Sequence, residues 1–191
     1  MRIALALAAA LLTLVGCADK SQPEVYELGG IPEKAPVWIK NPDYKGRFAA
    51  AGGAAQSVGG AKFQQIEASA RASEILRVRL EKIAFAAAKK ILSALSAEAA
   101  DETAIDADAR LVSLMIVARA SSQFARVDNW WSPSRDYYAL LRISEETLGA
   151  TIADAIAQFA RSSERYSAKF GMLRGLESID NAASGAIAAE K

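Results

Sequence analysis

Residues 59–96 read GGAKFQQIEASARASEILRVRLEKIAFAAAKKILSALS, and this stretch decides the fold. Apolar residues recur in it at spacings of three and four, which predicts one long helix that begins near residues 59–61 and ends near Ser96. The charged residues between them, including Arg71 and Arg79, are interpreted as a solvated helix face, with Glu67 and Arg71 spaced for an ion pair. The expected buried stripe consists of Ala72, Leu76, Leu80, Ile83, Ala87, Ile91 and Leu95.

Small residues precede this helix. Residues 46–55, GRFAAAGGAA, predict a strand whose alanines and glycines let a helix lie close against the sheet. The pair Gly52-Gly53 indicates either a β-bulge or a close backbone approach. Residues 35–42, APVWIKNP, are expected to run extended, because proline disfavours helix for the residue before it.

A second helix is predicted after the long one. Residues 103–106, TAID, resemble a helix N-terminus that Thr103 caps, with aspartate in place of the usual glutamate. The expected buried side of this helix consists of Leu111, Leu114, Met115 and Ala118.

Residues 121–131 and 136–143 predict two strands, and residues 132–135, SPSR, predict the loop that joins them as a hairpin. Ser144 is then placed to cap a final helix. The apolar face of that helix consists of Leu148, Ile152, Ala155, Ile156 and Phe159. The predicted order is strand, helix, helix, strand, strand, helix, which indicates an α+β fold: a small antiparallel sheet packed, on one face, on a long helix and two shorter helices.

Composition limits the chemistry that the chain offers. The 191 residues contain no histidine and one cysteine, so zinc, haem and iron–sulfur sites lack their usual ligands, and histidine-dependent nucleophilic catalysis is excluded. No calcium-binding loop motif is present. The 23 basic and 22 acidic residues balance, which argues against a nucleic-acid partner. We therefore expect no metal, no cofactor and no catalytic residues.

The N-terminus predicts export. Arg2 is followed by an apolar run, Ile3 to Val15, which is shorter than the about 20 residues that a transmembrane helix needs. Residues 14–17, LVGC, resemble the lipobox of bacterial lipoproteins. The resemblance implies cleavage between Gly16 and Cys17, and acyl chains such as palmitate on Cys17.

The lipid anchor predicts a domain organisation. Residues 1–16 form the signal peptide, 17–35 a lipidated N-terminus and flexible tether, 36–170 the folded domain, and 171–191 an Ala/Gly/Ser-rich tail. Ala18 stands where an aspartate would signal retention in the inner membrane. The resemblance therefore implies the outer membrane, with the domain facing the periplasm.

Several local strings, in order behind the lipobox, resemble the lipoprotein-20 family of bacterial outer-membrane lipoproteins. They are Pro36-x-Trp38, Asn41-Pro42, Ala51-Gly52-Gly53-Ala54, Ile66-x-Ala68-x-Ala70-Arg71-Ala72, Trp130-Trp131 and residues 137–143, YYALLRI. The resemblance implies a compact α+β domain without catalytic residues. Because some relatives belong to the flagellar apparatus, it implies a structural or assembly role, with envelope or flagellar proteins or further copies of the chain as partners.

An alternative function is binding of cell-wall glycan or another envelope ligand. Trp130, Trp131, Tyr137 and Tyr138 cluster at the predicted hairpin, and aromatic rings stack on sugars or anchor interfaces. Core packing is the more common role of such residues. Neighbouring tryptophans on a strand point to opposite faces, however, so at most one of them belongs to the core.

A third possibility is an enzyme that uses carboxylates alone. The candidates are Asp101, Glu102, Asp106 and Asp108. Their position at a helix boundary favours capping and solvation over acid–base catalysis.

Overall fold

A computed structural model of the chain describes residues 31, 33–43, 48–96, 101–172 and 185. The lipobox with Gly16 and Cys17, most of the tether and most of the tail lie outside the described residues. The elements are α1 (Val37–Lys40), β1 (Phe48–Ala54), α2 (Gly60–Leu95), α3 (Glu102–Ser121), β2 (Ala125–Trp131), β3 (Tyr137–Ile143), α4 (Glu145–Ser162) and α5 (Glu164–Met172). The α+β class and the predicted order of the six main elements are confirmed, and two short helices, α1 and α5, are added to them.

The long helix α2 forms as predicted, and every residue of its expected stripe is buried. Its stripe contacts β1 and β3 as well as α3, so that one helix is shared by the sheet and the helical layer. No helix in the part of the chain that the structure describes is long and apolar enough to cross a bilayer.

Gly52 marks the closest contact between the sheet and α2. A Cβ atom on Gly52 would lie 2.2 Å from the backbone oxygen of Ala68 and 2.5 Å from the backbone nitrogen of Ala72. The pairing of β1 with β3 is continuous from Phe48↔Ile143 to Ala54↔Tyr137, so the strand has no bulge. Of the two sequence-based interpretations, close backbone approach is confirmed.

The three strands form an antiparallel sheet in the order β1-β3-β2. The helix-facing side of the sheet belongs to the main core, but the other side is covered too, by a cluster of Trp38, Ile39, Ala49, Tyr138 and Leu140. The expectation of a sheet covered on one face was therefore wrong.

The cover on the second face comes from α1, where the sequence predicted extended chain. Pro36 stands at the N-cap with ψ 143°, and Asn41 ends the helix with φ −138°, so the residues before and after the turn are not helical. The prolines restrict only their own neighbours. Residues 37–40 between them are free to form one helical turn, which buries Trp38 and Ile39.

The outer edge of β1 is covered by charged side chains. Arg71 Nη1 donates to the carbonyl of Gly53 at 2.6 Å, and Arg79 Nη1 donates to the carbonyl of Ala49 at 3.0 Å. Asp43 accepts from the Ala49 N–H at 3.1 Å and pairs with Arg79 at 2.9 Å. Arg71 also pairs with Glu67 as predicted. The interpretation of these two arginines as solvated was wrong: they satisfy an edge strand that would otherwise be open to pairing with another chain.

Helix α3 buries a different face from the one predicted. Leu111, Leu114 and Ala118 are exposed and Met115 is only partly buried. Two apolar stripes at helical spacing run along α3, and local periodicity does not choose between them. The stripe that packs against α2 contains small residues, which allow close contact between helices. The buried residues are Ile105, Ala109, Val112, Ser113, Ile116, Val117 and Ala120.

Two element boundaries also differ from the prediction. The cap of α3 is Asp101, whose carboxylate accepts from the Thr103 N–H at 2.9 Å, so Thr103 lies inside the first turn. Ser121 is the last residue of α3, and β2 begins only at Ala125. The register of β2 shifts between Arg126 and Asp128, which explains its poor alternation in the sequence.

The last two helices close the main core. The Ser144 hydroxyl caps α4 by accepting from the Thr147 N–H at 3.0 Å, as predicted. Helix α5 is tied to α3 at Asp108, which accepts from the Tyr166 hydroxyl at 2.8 Å and pairs with Arg165 at 2.6 Å. Tyr166 is fully buried. Burial, and then the hydrogen bond to Asp108, raise the pKa of the Tyr166 phenol.

We predict that Gly52→Ala lowers the free energy of unfolding by about 1–3 kcal/mol, because the new methyl group meets the rigid backbone of α2. The matched control is Gly149→Ala in α4, where a Cβ atom meets nothing within 4 Å. That change should stabilise the protein by about 0.5–1 kcal/mol through helix propensity. Urea unfolding measures both. Equal effects of the two substitutions would contradict the close approach.

We predict that Tyr166→Phe lowers the free energy of unfolding by about 1–2 kcal/mol at pH 7, because Asp108 loses a buried hydrogen-bond donor. The raised pKa means that the fold favours the neutral phenol. This contribution is therefore complete below about pH 10, the unfolded value, and is lost as the pH rises through the folded value.

Urea unfolding between pH 7 and pH 11 tests this. Wild type should lose more stability above pH 10 than the Phe variant. Burial also raises the pKa of Tyr138, and the loss of stability that comes from Tyr138 should appear in both proteins. Parallel pH profiles for the two proteins would show that the Tyr166 phenol is not coupled to folding.

Candidate functional site

The β2–β3 hairpin positions the four aromatic residues that the sequence predicted as an interface. Trp130 pairs with Tyr138 and Trp131 pairs with Tyr137. The ring centroids are 5.7 Å apart in the first pair and 4.7 Å apart in the second, which packs edge to face. Tyr137 lies on the side of the sheet that faces α2, and Tyr138 lies on the opposite side. The two tryptophans therefore point to opposite faces, as predicted.

The four residues differ in what they expose. Tyr137 and Tyr138 are buried and belong to the core, so the expectation that they form a contact surface was wrong for these two. Trp130 is partly buried against the cluster that contains Trp38. Trp131 keeps 40% of its surface exposed while its ring is held in place by Tyr137. Trp131 is thus the one member of the set with a large exposed aromatic surface.

An open groove of about 410 Å³ lies beside Trp131, between the tip of the hairpin and the start of α2. It combines an aromatic ring, side-chain amides, hydroxyl groups and one guanidinium group. The residues that line it are Gln56, Ser57, Gly60, Ala61, Gln64, Trp131, Ser132 and Arg135.

The hairpin loop that forms one wall of the groove is internally bonded. The hydroxyl of Ser132 accepts from the Asp136 N–H at 2.9 Å, and the Ser132 N–H donates to the carbonyl of Asp136 at 2.8 Å. The carboxylate of Asp136 accepts from the Ser134 hydroxyl at 2.8 Å. The buried side chain of Gln64 donates to the carbonyl of Arg135 at 2.9 Å and so ties the loop to α2. The groove is built between anchored elements.

Arg135 has an unusual backbone in this loop. Its φ is +65°, in the left-handed region that costs a residue with a Cβ atom about 1–2 kcal/mol. Its guanidinium has no hydrogen-bond or ion-pair partner among the described residues. A costly backbone that presents an unpaired cation beside an exposed tryptophan is the kind of local strain that accompanies binding sites.

The start of α2 makes the other wall electropositive. The residue before the helix is Gly59, which has no side chain to cap it, and the first turn, residues 60–63, carries no acidic residue. The positive end of the helix dipole is therefore not neutralised where Gly60 and Ala61 line the groove.

The four candidate carboxylates do not meet at a common site. Asp101 caps α3, and Asp108 holds Tyr166 and Arg165. Glu102 and Asp106 both pair with Lys89, at 3.3 and 2.7 Å. Each has a structural partner, and these ion pairs raise the pKa of the Lys89 ammonium group. Within the described ranges no group of three or more histidine, cysteine or acidic residues is arranged to hold a metal ion.

Comparisons of the chain with protein-family models, with curated proteins and with solved structures find no match.

Sequence reasoning found Trp131 but missed the other residues of the groove. Gln56, Ser57 and Gln64 lie about 70 residues from the hairpin in the chain, and nothing local in their sequence connects them to it. The loop residues 132–135 carried the only available signal, since a polar hairpin loop beside two tryptophans presents side chains next to exposed rings.

Proposed function

We propose that the protein is a lipoprotein of the bacterial envelope, anchored in the outer membrane through acyl chains on Cys17, with its domain in the periplasm. Its role is structural or assembly, without catalysis. The lipobox at residues 14–17 and the resemblance to the lipoprotein-20 family support the anchor and the location. Two or more acyl chains suffice for stable anchoring, so no transmembrane helix is needed.

The observation that carries the assembly role is an exposed apolar face on α3. We call the stripe formed by Ala107, Leu111, Leu114 and Ala118 the α3 apolar face. Leu111 is 52% exposed and Leu114 is 58% exposed, and the spacing of the four residues places them on one side of the helix.

Exposed apolar side chains that adjoin on one helix face and are bordered by polar residues are characteristic of interaction sites. The exposed Arg110 and Arg119 lie on either side of the α3 apolar face, which gives it the polar rim of a protein interface. Contact with other envelope proteins, flagellar ones included, or with further copies of the chain accounts for this surface.

A second candidate function is binding of envelope glycan. The observation that favours it is the groove beside Trp131, which combines an exposed aromatic ring with amide, hydroxyl and guanidinium groups. This function is compatible with the first, because the groove and the α3 apolar face are formed by different elements. A lipid-anchored domain that binds both an envelope protein and envelope glycan would connect the membrane to these two components.

The anchor is tested by Cys17→Ser in the full chain, expressed in a Gram-negative host. We expect wild type to sediment with the outer membrane and to gain the mass of the acyl chains, and the variant to lose both properties. Membrane fractionation and intact-mass spectrometry measure this. An unmodified Cys17 in the mature wild-type protein would refute the lipoprotein assignment.

The α3 apolar face is tested by the double substitution Leu111→Ser and Leu114→Ser. Because both side chains are exposed, the free energy of unfolding should change by less than about 1 kcal/mol. A photoreactive residue at Ala118 should capture an envelope protein or a second copy of the chain in intact cells, and the double variant should reduce that capture at least tenfold.

The matched control is Phe63→Ser with Ile66→Ser, which removes two exposed apolar side chains from α2. It should leave capture at Ala118 unchanged. Capture that survives the α3 substitutions, or that the α2 substitutions abolish equally, would mean that the α3 apolar face is not the contact surface. Mass spectrometry of the captured species identifies the partner.

A further inference from the structure

We propose that the groove between the tip of the β2–β3 hairpin and the start of α2 binds an acidic saccharide, a sugar that carries a carboxylate, with the sugar ring on Trp131 and the carboxylate on Arg135. This inference rests on the glycan-binding function proposed above and names the chemical class of its ligand. It does not depend on the α3 apolar face.

Trp131 supplies the surface for the sugar ring. The C–H face of a pyranose packs on an aromatic ring, and a tryptophan presents the largest such surface among side chains. Tyr137 is buried and contacts Trp131 at 4.7 Å between ring centroids, so the indole is held before any ligand arrives. A platform that is already ordered loses little conformational entropy on binding.

The polar residues of the groove match the hydroxyl and amide groups of a sugar. The carboxamide of Gln56 has no hydrogen-bond partner among the described residues, and it both donates and accepts. The hydroxyl of Ser57 accepts from the Gly59 N–H at 3.1 Å and keeps its own proton to donate. A volume of about 410 Å³ lies in the range of small-molecule sites and suits one or two sugar rings.

The charge of the groove selects for an anion. Arg135 is the one charged residue among those that line it, and no carboxylate opposes it there. The carboxylate of the neighbouring Asp136 accepts from the hydroxyls of Ser132 and Ser134 and forms no ion pair with Arg135 among the described residues. A guanidinium binds a carboxylate through two parallel hydrogen bonds, which adds geometric selectivity to charge.

The strained backbone of Arg135 supports a role for its side chain. A glycine would adopt the φ of +65° without steric cost, and the loop is held by backbone groups that a glycine also provides. Among the described residues the arginine side chain makes no hydrogen bond or ion pair that would offset this strain. A substitution that removes the Arg135 side chain should therefore weaken ligand binding without lowering the free energy of unfolding, which distinguishes a binding role from a structural one.

The test uses the full-length protein purified in detergent and isothermal titration with three probes. These are the peptide-free disaccharide of N-acetylglucosamine and N-acetylmuramic acid from peptidoglycan, whose lactyl carboxylate is free, trigalacturonic acid, and neutral chitotriose. We expect at least one acidic probe to bind at least tenfold more tightly than chitotriose. Binding of the peptidoglycan fragment identifies the wall as the source of the ligand, and binding of the uronate alone identifies an acidic polysaccharide.

Two substitutions at Arg135 separate charge from structure. Arg135→Gly should weaken binding of the acidic probe at least tenfold and remove the preference over chitotriose, while the midpoint of thermal unfolding stays equal or rises. Arg135→Lys should keep part of the preference.

Two tryptophan substitutions test the surface for the sugar ring. Trp131→Ala should abolish binding of all three probes, and Trp130→Phe, on the other face of the sheet, should leave binding unchanged.

The outcomes distinguish this inference from the function on which it rests. Equal binding of acidic and neutral probes that Trp131→Ala abolishes and Arg135→Gly leaves intact would overturn the acidic ligand and keep the glycan-binding function. Absence of binding to every probe at millimolar concentration would overturn both. Binding that neither Trp131→Ala nor Arg135→Gly reduces would place the site elsewhere and overturn the assignment of this groove.

Discussion

The structure depends on one contact, the approach of the β1 backbone to the backbone of α2 at Gly52. Only 2.2 Å separates the position of a Cβ atom on Gly52 from the carbonyl oxygen of Ala68, so a larger residue at that point would push the helix off the sheet. The small residues Ala50, Ala54 and Ala72 surround this contact and are buried. Close packing of backbone on backbone fixes the position of α2 along the strand, and the sheet and the other helices pack around it.

The same contact positions the candidate site. With α2 fixed on the sheet, its first turns lie beside the tip of the β2–β3 hairpin, where Gln64 binds the carbonyl of Arg135. Trp131 at the end of β2 and Arg135 in the hydrogen-bonded hairpin loop are thus held in place before a ligand binds, which is what a preorganised binding site requires. The α3 apolar face lies on a separate element. Its exposed leucines and the aromatic groove give the domain two surfaces of different chemistry, one apolar and one polar and cationic.

Local patterns in the sequence determined the parts of the fold that short-range physics controls. The repeat of apolar residues in α2 specifies its length and its buried stripe, because side chains three and four apart share a helix face. The hydroxyl of Ser144 caps α4 from the adjacent position. The Gly52-Gly53 pair indicated either a bulge or a close approach, of which the structure has the close approach, and strand geometry alone placed Trp130 and Trp131 on opposite faces.

Only the tertiary structure decided features that depend on contacts between distant segments. Both apolar stripes of α3 satisfy helical periodicity, and packing against α2 chose the one that leaves Leu111 exposed. The roles of Arg71 and Arg79 follow from the neighbouring edge of β1, which their own helix does not reveal. Likewise, Arg135 and Gln56 line one groove although about 80 residues separate them in the chain, because the groove exists only once α2 has packed on the sheet.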